Sequence, residues 1–364
     1  MKAHRILTIL ATLVYAIGGS AAPPVGFIVG WGNDAARVNS GISFYTWAKP
    51  GAYTDAILAL NAFSGTGPIY TNAIAVACGA FHGFALLSDG RVTEWGPAFA
   101  ANQTEAADTL HPRRASGFVR IRGEILSNVK AIAAGRTHSL AIIDDGRLVE
   151  WGQSDGPGGS PAPPPALSNV VAVSAGWDYN LALNSDGVVV DWPRSRIPLR
   201  LTNIVAVATG AAFYAPSLAL TRDGTVFEWS PGGLADSVSA RLTNVTAIAA
   251  GGGHCLALRF DGTVEGWGNN NLGQATGAPA TNAPYRSEGP VTLHGQTLTN
   301  VIAIAAGSES SLALKRDGTV VTWGYLDHRP SAVPAGLSGV VAIAAGDNFC
   351  LAITTNAAAF TIKK

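Results

Sequence analysis

Short apolar runs recur along the chain in one order. Each begins as Val-x-Ala-Ile-Ala-Ala, stops at Gly and leads into a second run such as Ser-Leu-Ala-Leu. An Asp-Gly pair follows, then an alternating run that ends in Trp-Gly. VIAIAAGSESSLALKRDGTVVTWG covers Val301 to Gly324, VTAIAAGGGHCLALRFDGTVEGWG covers Val245 to Gly268, and VKAIAAGRTHSLAIIDDGRLVEWG covers Val129 to Gly152. The marker Gly recurs as Gly79, Gly135, Gly176, Gly210, Gly251, Gly307 and Gly346. The marker Trp recurs as Trp31, Trp95, Trp151, Trp192, Trp229, Trp267 and Trp323. From Gly to the next Trp the distance is 16 residues in five repeats, and three longer between Gly210 and Trp229. The connections from Trp to the next Gly vary widely. A constant hairpin core with variable loops is the mark of a repeat architecture, because loops tolerate insertion and ladders do not.

Runs of four to six residues bounded by Gly predict strands, three per repeat. The pairs Asp89-Gly90, Asp145-Gly146, Asp186-Gly187, Asp223-Gly224, Asp261-Gly262 and Asp317-Gly318 predict two-residue hairpins. A fourth strand is expected from the variable segment. The fold class predicted is all-β, a seven-bladed β-propeller. The chain opens on a lone third-strand pattern, Val25 to Gly32, and closes on first and second strands, Val340 to Ile353. The N-terminal strand is therefore expected to complete the last blade, which removes open edges. Ala358 to Ile362 is the competing candidate for that place. Three insertions interrupt the pattern: Trp31 to Gly79, with a possible short helix around Ala56 to Leu60; Pro97 to Leu126; and Gly277 to Leu298.

Composition sharpens this picture. Hydrophobic residues make up 48% and charged residues 13%, which allows a large core under a lightly charged surface. The 43 Gly and 20 Pro favour turns over helix. Lys and Arg number 24 against 24 Asp and Glu, so the phosphate-neutralising excess of a nucleic-acid binder is missing. Residues 1–22 read as a signal peptide: Lys2, His4 and Arg5 precede an apolar stretch from Ile6 to Ile17, then small residues from Gly18 to Ala22. An uncleaved anchor is the alternative. The mature domain is then 23–364, secreted or held in the periplasm or cell envelope, with no later membrane span and an expected monomeric state. Cys78, Cys255 and Cys350 fall in the repeat register and are expected to be free, buried thiols.

The order apolar strand, Ala-Gly, His-Ser-Leu-Ala-Leu, Asp-Gly, Trp-Gly resembles the regulator-of-chromosome-condensation repeat. The stretch Trp267-Gly268-Asn269-Asn270-Asn271-Leu272-Gly273-Gln274 resembles that family's segment after the Trp. The resemblance covers essentially everything after residue 22 and implies the propeller fold. A nuclear exchange factor for a small GTPase, the role of the family's eukaryotic namesake, does not suit an exported neutral chain. Secreted bacterial β-lactamase-inhibitor propellers are also similar, and they imply a binding face built from aromatic and acidic residues.

The turns after the marker Gly supply the matching candidates: Phe81, Arg136, Trp177, Asp178, Tyr179, Phe213, Tyr214, Glu309, Asp347 and Phe349. Trp, Tyr and Arg dominate interface hot spots, which singles out Trp177-Asp178-Tyr179. Packing inside each blade is the competing role, especially for the third residue of the turn, as at His82, His138 and His254. Those three His fall on blades one, two and five, too dispersed to hold one metal ion. No nucleophile elbow, P-loop or dinucleotide fingerprint occurs, so no catalytic residue, metal or cofactor is predicted. Glu94, Glu150, Asp191, Glu228 and Glu265 recur just ahead of the Trp, which predicts a solvated or inter-blade role. The expected function is a scaffold binding an unidentified protein, or a glycan, through one face. An enzyme acting on extracellular polymers and a structural envelope protein are the alternatives.

Overall fold

The computed structural model describes residues 26–32, 58–59, 71–80, 82–97, 114–152, 163–165, 167–177, 179–193, 197, 201–210, 212, 214–230, 233–234, 242–326 and 329–356. Among them the chain is all-β, and no helix is long and apolar enough to cross a membrane. Seven antiparallel sheets of three or four strands follow one another. Their inner strands are Ala73–Cys78, Val129–Ala134, Val170–Ala175, Ile204–Thr209, Val245–Ala250, Val301–Ala306 and Val340–Ala345. Each touches the next, and the seventh touches the first, so the ring is closed.

The seventh blade confirms closure by the N-terminal strand. Phe27–Gly32 pairs over its whole length with Phe349–Thr354, in register from Phe27 opposite Thr354 to Gly32 opposite Phe349. Ala358 to Ile362 lies outside the described residues. Leu58–Ala59 adds the outer strand of this blade by pairing with Val29 and Gly30. The short helix expected around Ala56 to Leu60 is therefore a strand at Leu58–Ala59, because the sheet edge offers the backbone a ladder that a lone helical turn lacks. Arg114–Phe118, Gly233–Leu234, Arg286–Pro290 and Arg329–Pro330 are the corresponding outer strands of blades one, four, five and six.

The Asp-Gly hairpins correct the expected turn. In blade one Gly90 N–H donates to Leu87 O and Leu87 N–H donates to Arg91 O, so the loop holds three residues. Gly90 sits at φ 80°. All six Asp-Gly turns repeat this pattern: a type I turn, then Gly in the left-handed region. The Asp is held by its own turn. Asp89 accepts from Arg91 N–H at 3.0 Å and Asp317 from Thr319 N–H at 3.0 Å.

The recurrent Leu-Ser/Thr-Asn step before the inner strands is a structural signal in its own right. Asn128, Asn169, Asn203, Asn244 and Asn300 all adopt φ between 54° and 62°. Each offers its carbonyl to the hairpin of its own blade, as Asn128 does to Asp144 N–H at 2.9 Å. Asn tolerates this conformation better than other residues with a side chain.

The marker Gly explains the seven-fold ring. A Cβ on Gly79 would lie 2.3 Å from Gly135 O, and on Gly135 2.6 Å from Gly176 O. The same relation runs through Gly176, Gly210, Gly251, Gly307 and Gly346, and returns from Gly346 to Gly79 O at 2.5 Å. Where a turn continues as in blade two, its next N–H donates to that same neighbouring carbonyl, Arg136 to Gly176 O at 3.1 Å. Only a residue without a side chain lets adjacent inner strands approach this closely.

Polar latches join the blades further out. The marker Trp donate their indole N–H to the preceding blade: Trp151 to Glu94 Oε2 at 2.9 Å, Trp192 to Glu150 Oε2 at 3.4 Å, and Trp267 to Glu228 Oε2 at 2.6 Å. Trp229 donates to Tyr179 Oη, which donates in turn to Asp191 Oδ2 at 2.6 Å. The recurring acids thus serve between blades, apart from Glu265, which pairs with Arg259 at 3.1 Å in its own blade. Blade five has Gly266 in the acid's place. There Ala275 O lies 1.9 Å from where a Cβ would be, and Gln274 O accepts from Trp323 at 2.9 Å. The Asn-Asn-Leu-Gly-Gln loop thereby replaces a carboxylate.

Blade six offers only Thr322 at the acid's register position, and the Nε1 of buried Trp31 finds no partner among the described residues. Thr322→Gln is expected to supply the missing acceptor and stabilise the closing blade by about 1 kcal/mol. Urea unfolding of the two proteins checks this. An unchanged or lowered midpoint would show that the register argument does not extend to the closure.

The three His make a second set of latches. His82 Nε2 meets Ser139 Oγ at 2.8 Å, His138 Nε2 meets Asn180 Oδ1 at 2.7 Å, and His254 Nε2 meets Ser311 Oγ at 2.8 Å. Each reaches the next blade instead of packing only within its own. Ser311 already donates to Gln274 O, so His254 must be the donor in its pair. The three Cys are free and buried, and burial pushes the thiols of Cys78 and Cys255 well above their usual range.

Candidate functional site

The turns between inner and middle strands gather at the glycine end of the ring. Their register decides which side chains leave the blade. The third residue after the marker Gly turns inward: His82 and His254 are fully buried, and so is Phe349, which packs with Leu351, Ile353 and Val76. Tyr179 is 4% exposed, with its hydroxyl engaged by Asp191 and Trp229. Tyr179 and Phe349, expected on the binding face, therefore belong to the interior, because their register aims them at the neighbouring blade. Phe81, Asp178 and Phe213 lie outside the described residues.

The first residue after the Gly is partly exposed in blades two and three, whereas Ala80 at the same offset in blade one is buried. Arg136 and Trp177 hold this position in blades two and three. The Arg136 guanidinium stacks over the Trp177 ring at 3.7 Å from its centroid. One face of the planar guanidinium is thereby covered by the indole. Blade four carries the three extra residues, and there Tyr214 is 73% exposed. Arg136, Trp177 and Tyr214 thus form a sector over three consecutive blades. Glu309 and Asp347, both partly exposed, occupy the turns of blades six and seven. The face is cationic and aromatic on one side and acidic on the other.

The pairing of Arg136 with Trp177 joins residues 41 apart and escapes a local reading of either turn. The shared register position was the available signal, since equal offsets from the marker Gly place two residues side by side in adjacent blades. Among the described residues no three His, Cys, Asp or Glu gather into a metal-binding group.

Comparison with known proteins agrees with this geometry. Residues 245–274 and 301–327 match the profile of the Regulator of chromosome condensation repeat. Protein pim1 of Schizosaccharomyces pombe is 34% identical over 89 residues, which cover 23% of this chain and 16% of pim1. Ultraviolet-B receptor UVR8 of Arabidopsis thaliana is 34% identical over 83 residues, covering 21% of this chain and 17% of the receptor. The matched stretch therefore spans about a sixth of either relative. Prp20p from Saccharomyces cerevisiae superposes with a TM-score of 0.67 at 18% identity, covering 93% of each chain. That likeness concerns the fold. Two stretches of this chain thus match the Regulator of chromosome condensation repeat, and the closed ring they belong to has the fold of Prp20p.

Proposed function

We propose that the chain is an exported, non-catalytic scaffold that binds a protein partner through the face formed by the turns after the marker Gly. The observation that carries this reading is the Arg136–Trp177–Tyr214 sector, with the guanidinium stacked at 3.7 Å and the tyrosine 73% exposed one blade further on. Residues of these types at the centre of a desolvated contact supply most of the binding energy in protein interfaces. Protein binding is also reported for Prp20p, a neighbour in fold, whose interactions with Gsp1p and histones accompany its structure. The basic start and apolar stretch of residues 1–22 support export. The recurring acids support a scaffold over a polymer-acting enzyme, because Glu94, Glu150 and Glu228 accept from indoles of neighbouring blades instead of converging on one face.

The test is capture from the producing cell's envelope and medium with residues 23–364 as bait. A Trp177→Ala/Tyr214→Ala variant is expected to lose the partner while keeping its unfolding midpoint, and Phe227→Ala at the opposite end of blade four is expected to retain it. A partner held equally by wild type and the double variant would remove this face from the account.

A further inference from the structure

The opposite end of the ring, where the Asp-Gly hairpins lie, carries a cavity of about 470 Å³ on blade four. Its walls are Thr202, Asn203, Arg222 and Asp223, and Leu201 and Phe227 supply the apolar surface. That volume lies in the range of small-ligand sites.

The repeat shows why the cavity is here. Thr221 pairs with Ile204 as Arg259 pairs with Val245, and Phe227 pairs with Ala219 as Glu265 pairs with Ala257. In blade five Arg259 and Glu265 close on each other at 3.1 Å and fill this space. In blade four the short Thr221 leaves it open, and its hydroxyl is occupied by Asp223 and Thr225 O. Phe227 is the sole aromatic residue at its repeat position, where other blades have Thr93, Val149, Val190, Glu265, Val321 and Val29. A short Thr221, matched in size by Thr354 of blade seven, and a ring found at this position in blade four alone thus meet at one concavity.

The lining specifies a class of ligand. Arg222 brings donors, and no hydrogen bond or ion pair engages its guanidinium among the described residues. Asp223 is its neighbour, held below the usual carboxylate range by its hydrogen bonds to Thr221 and Thr225, so it stays an ionised acceptor. One cation and one anion side by side suit a neutral ligand that both donates and accepts. Asn203 and Thr202, both exposed, add groups that do both. The apolar surface of Phe227 and Leu201 suits a ring with one face of C–H groups. We propose that this cavity binds a neutral saccharide unit, with the C–H face of the pyranose on Phe227 and its hydroxyls toward Arg222, Asp223 and Asn203. The cavity stands apart from the proposed protein-binding face, which lies at the other end of the blades.

The experiment is saturation-transfer NMR on residues 23–364 with the methyl glycosides of glucose, galactose, mannose and N-acetylglucosamine. At least one glycoside is expected to receive saturation, with a dissociation constant on the order of millimolar for so small a contact. Thr221→Arg rebuilds the side chain that fills blade five and is expected to weaken binding at least tenfold. Phe227→Leu keeps an apolar side chain without the flat ring, is expected to weaken binding as well, and serves if the first variant fails to fold. The Trp177→Ala/Tyr214→Ala variant is expected to bind the glycoside as wild type does. Absence of transfer to all four glycosides, or undiminished binding by the folded Thr221→Arg or Phe227→Leu variant, would overturn the assignment.

Discussion

Gly210→Ala is expected to destabilise the propeller by about 3 kcal/mol or more, the upper range for forcing atoms into a packed interior. The added Cβ would lie 2.0 Å from Gly251 O and 2.8 Å from the Cβ of Ala215. Gly210 has no positive φ, so the cost is steric and not conformational. Relief requires blades four and five to separate, and in a closed ring the strain passes to every other interface. Gly176→Ala makes an informative comparison, because its Cβ would stand 2.9 Å from Gly210 O and asks for a smaller shift. Urea unfolding of both variants, read by tryptophan fluorescence, checks the order. Equal midpoints for Gly210→Ala and wild type would mean that the marker Gly is not required by inter-blade packing.

The second large effect is a stability maximum near pH 6.5. Burial holds the His82 imidazole down to about 3, with the charge of His138 adding to it, and burial holds His254 down to about 4. Both have a ring Nδ1 that no acceptor reaches, so the protonated ring would place an unpaired cation in the core. The unfolded chain takes up these protons near 6.5, and stability therefore falls as the pH drops below that value. Glu94 works in the other direction. Burial pushes its carboxyl up to about 8, partly offset by the hydrogen bond from Trp151. The folded chain keeps a proton there that the unfolded chain has lost above about 4.5, so stability falls as the pH rises towards 8. Glu228 is raised in the same sense by burial.

Between pH 4.5 and 6.5 two histidines oppose one glutamate, and the histidines prevail. About 2 kcal/mol is expected to be lost from pH 6.5 to 4.5, and about 1 kcal/mol from pH 6.5 to 8. Glu94→Gln keeps an acceptor for Trp151 and is expected to flatten most of the alkaline limb. His254→Ser, the residue found at that register in blade six as Ser310, is expected to shallow the acid limb. Unfolding midpoints measured from pH 4 to 9 decide the matter. Stability that rises from pH 6.5 to 8 would contradict the buried, protonated state of Glu94.

The blade pattern was legible because each marker meets a demand that repeats seven times. The Gly must admit a neighbour's carbonyl, the Trp must find an acceptor across the interface, and the Asp-Gly turn must place Gly at positive φ. Reading that turn as two residues missed the residue before Asp, since type I and type I′ loops share the same dipeptide. The Leu-Ser/Thr-Asn step passed as ordinary loop sequence, although Asn at the same offset in five blades carried the left-handed conformation. On the candidate face, outward and inward residues alternate within three positions. Trp177 and Tyr179 looked equivalent as aromatic residues of one turn, yet the offset shared with His82 and His254 already marked Tyr179 as interior. Variable segments were the least legible. Nothing local in Leu58-Ala59 shows that a strand edge awaits it, and nothing local in Gln274 shows that its carbonyl will replace a glutamate.

The proposed protein partner is expected to dock on the glycine end of the ring at blades two to four. The direct measurement is hydrogen–deuterium exchange on the propeller with and without the captured partner. Protection is expected in the turns around Arg136, Trp177 and Tyr214, with the Asp-Gly hairpins at the other end unchanged. Protection confined to those hairpins, with the three turns exchanging as in the free chain, would place the partner on the wrong end and contradict the account.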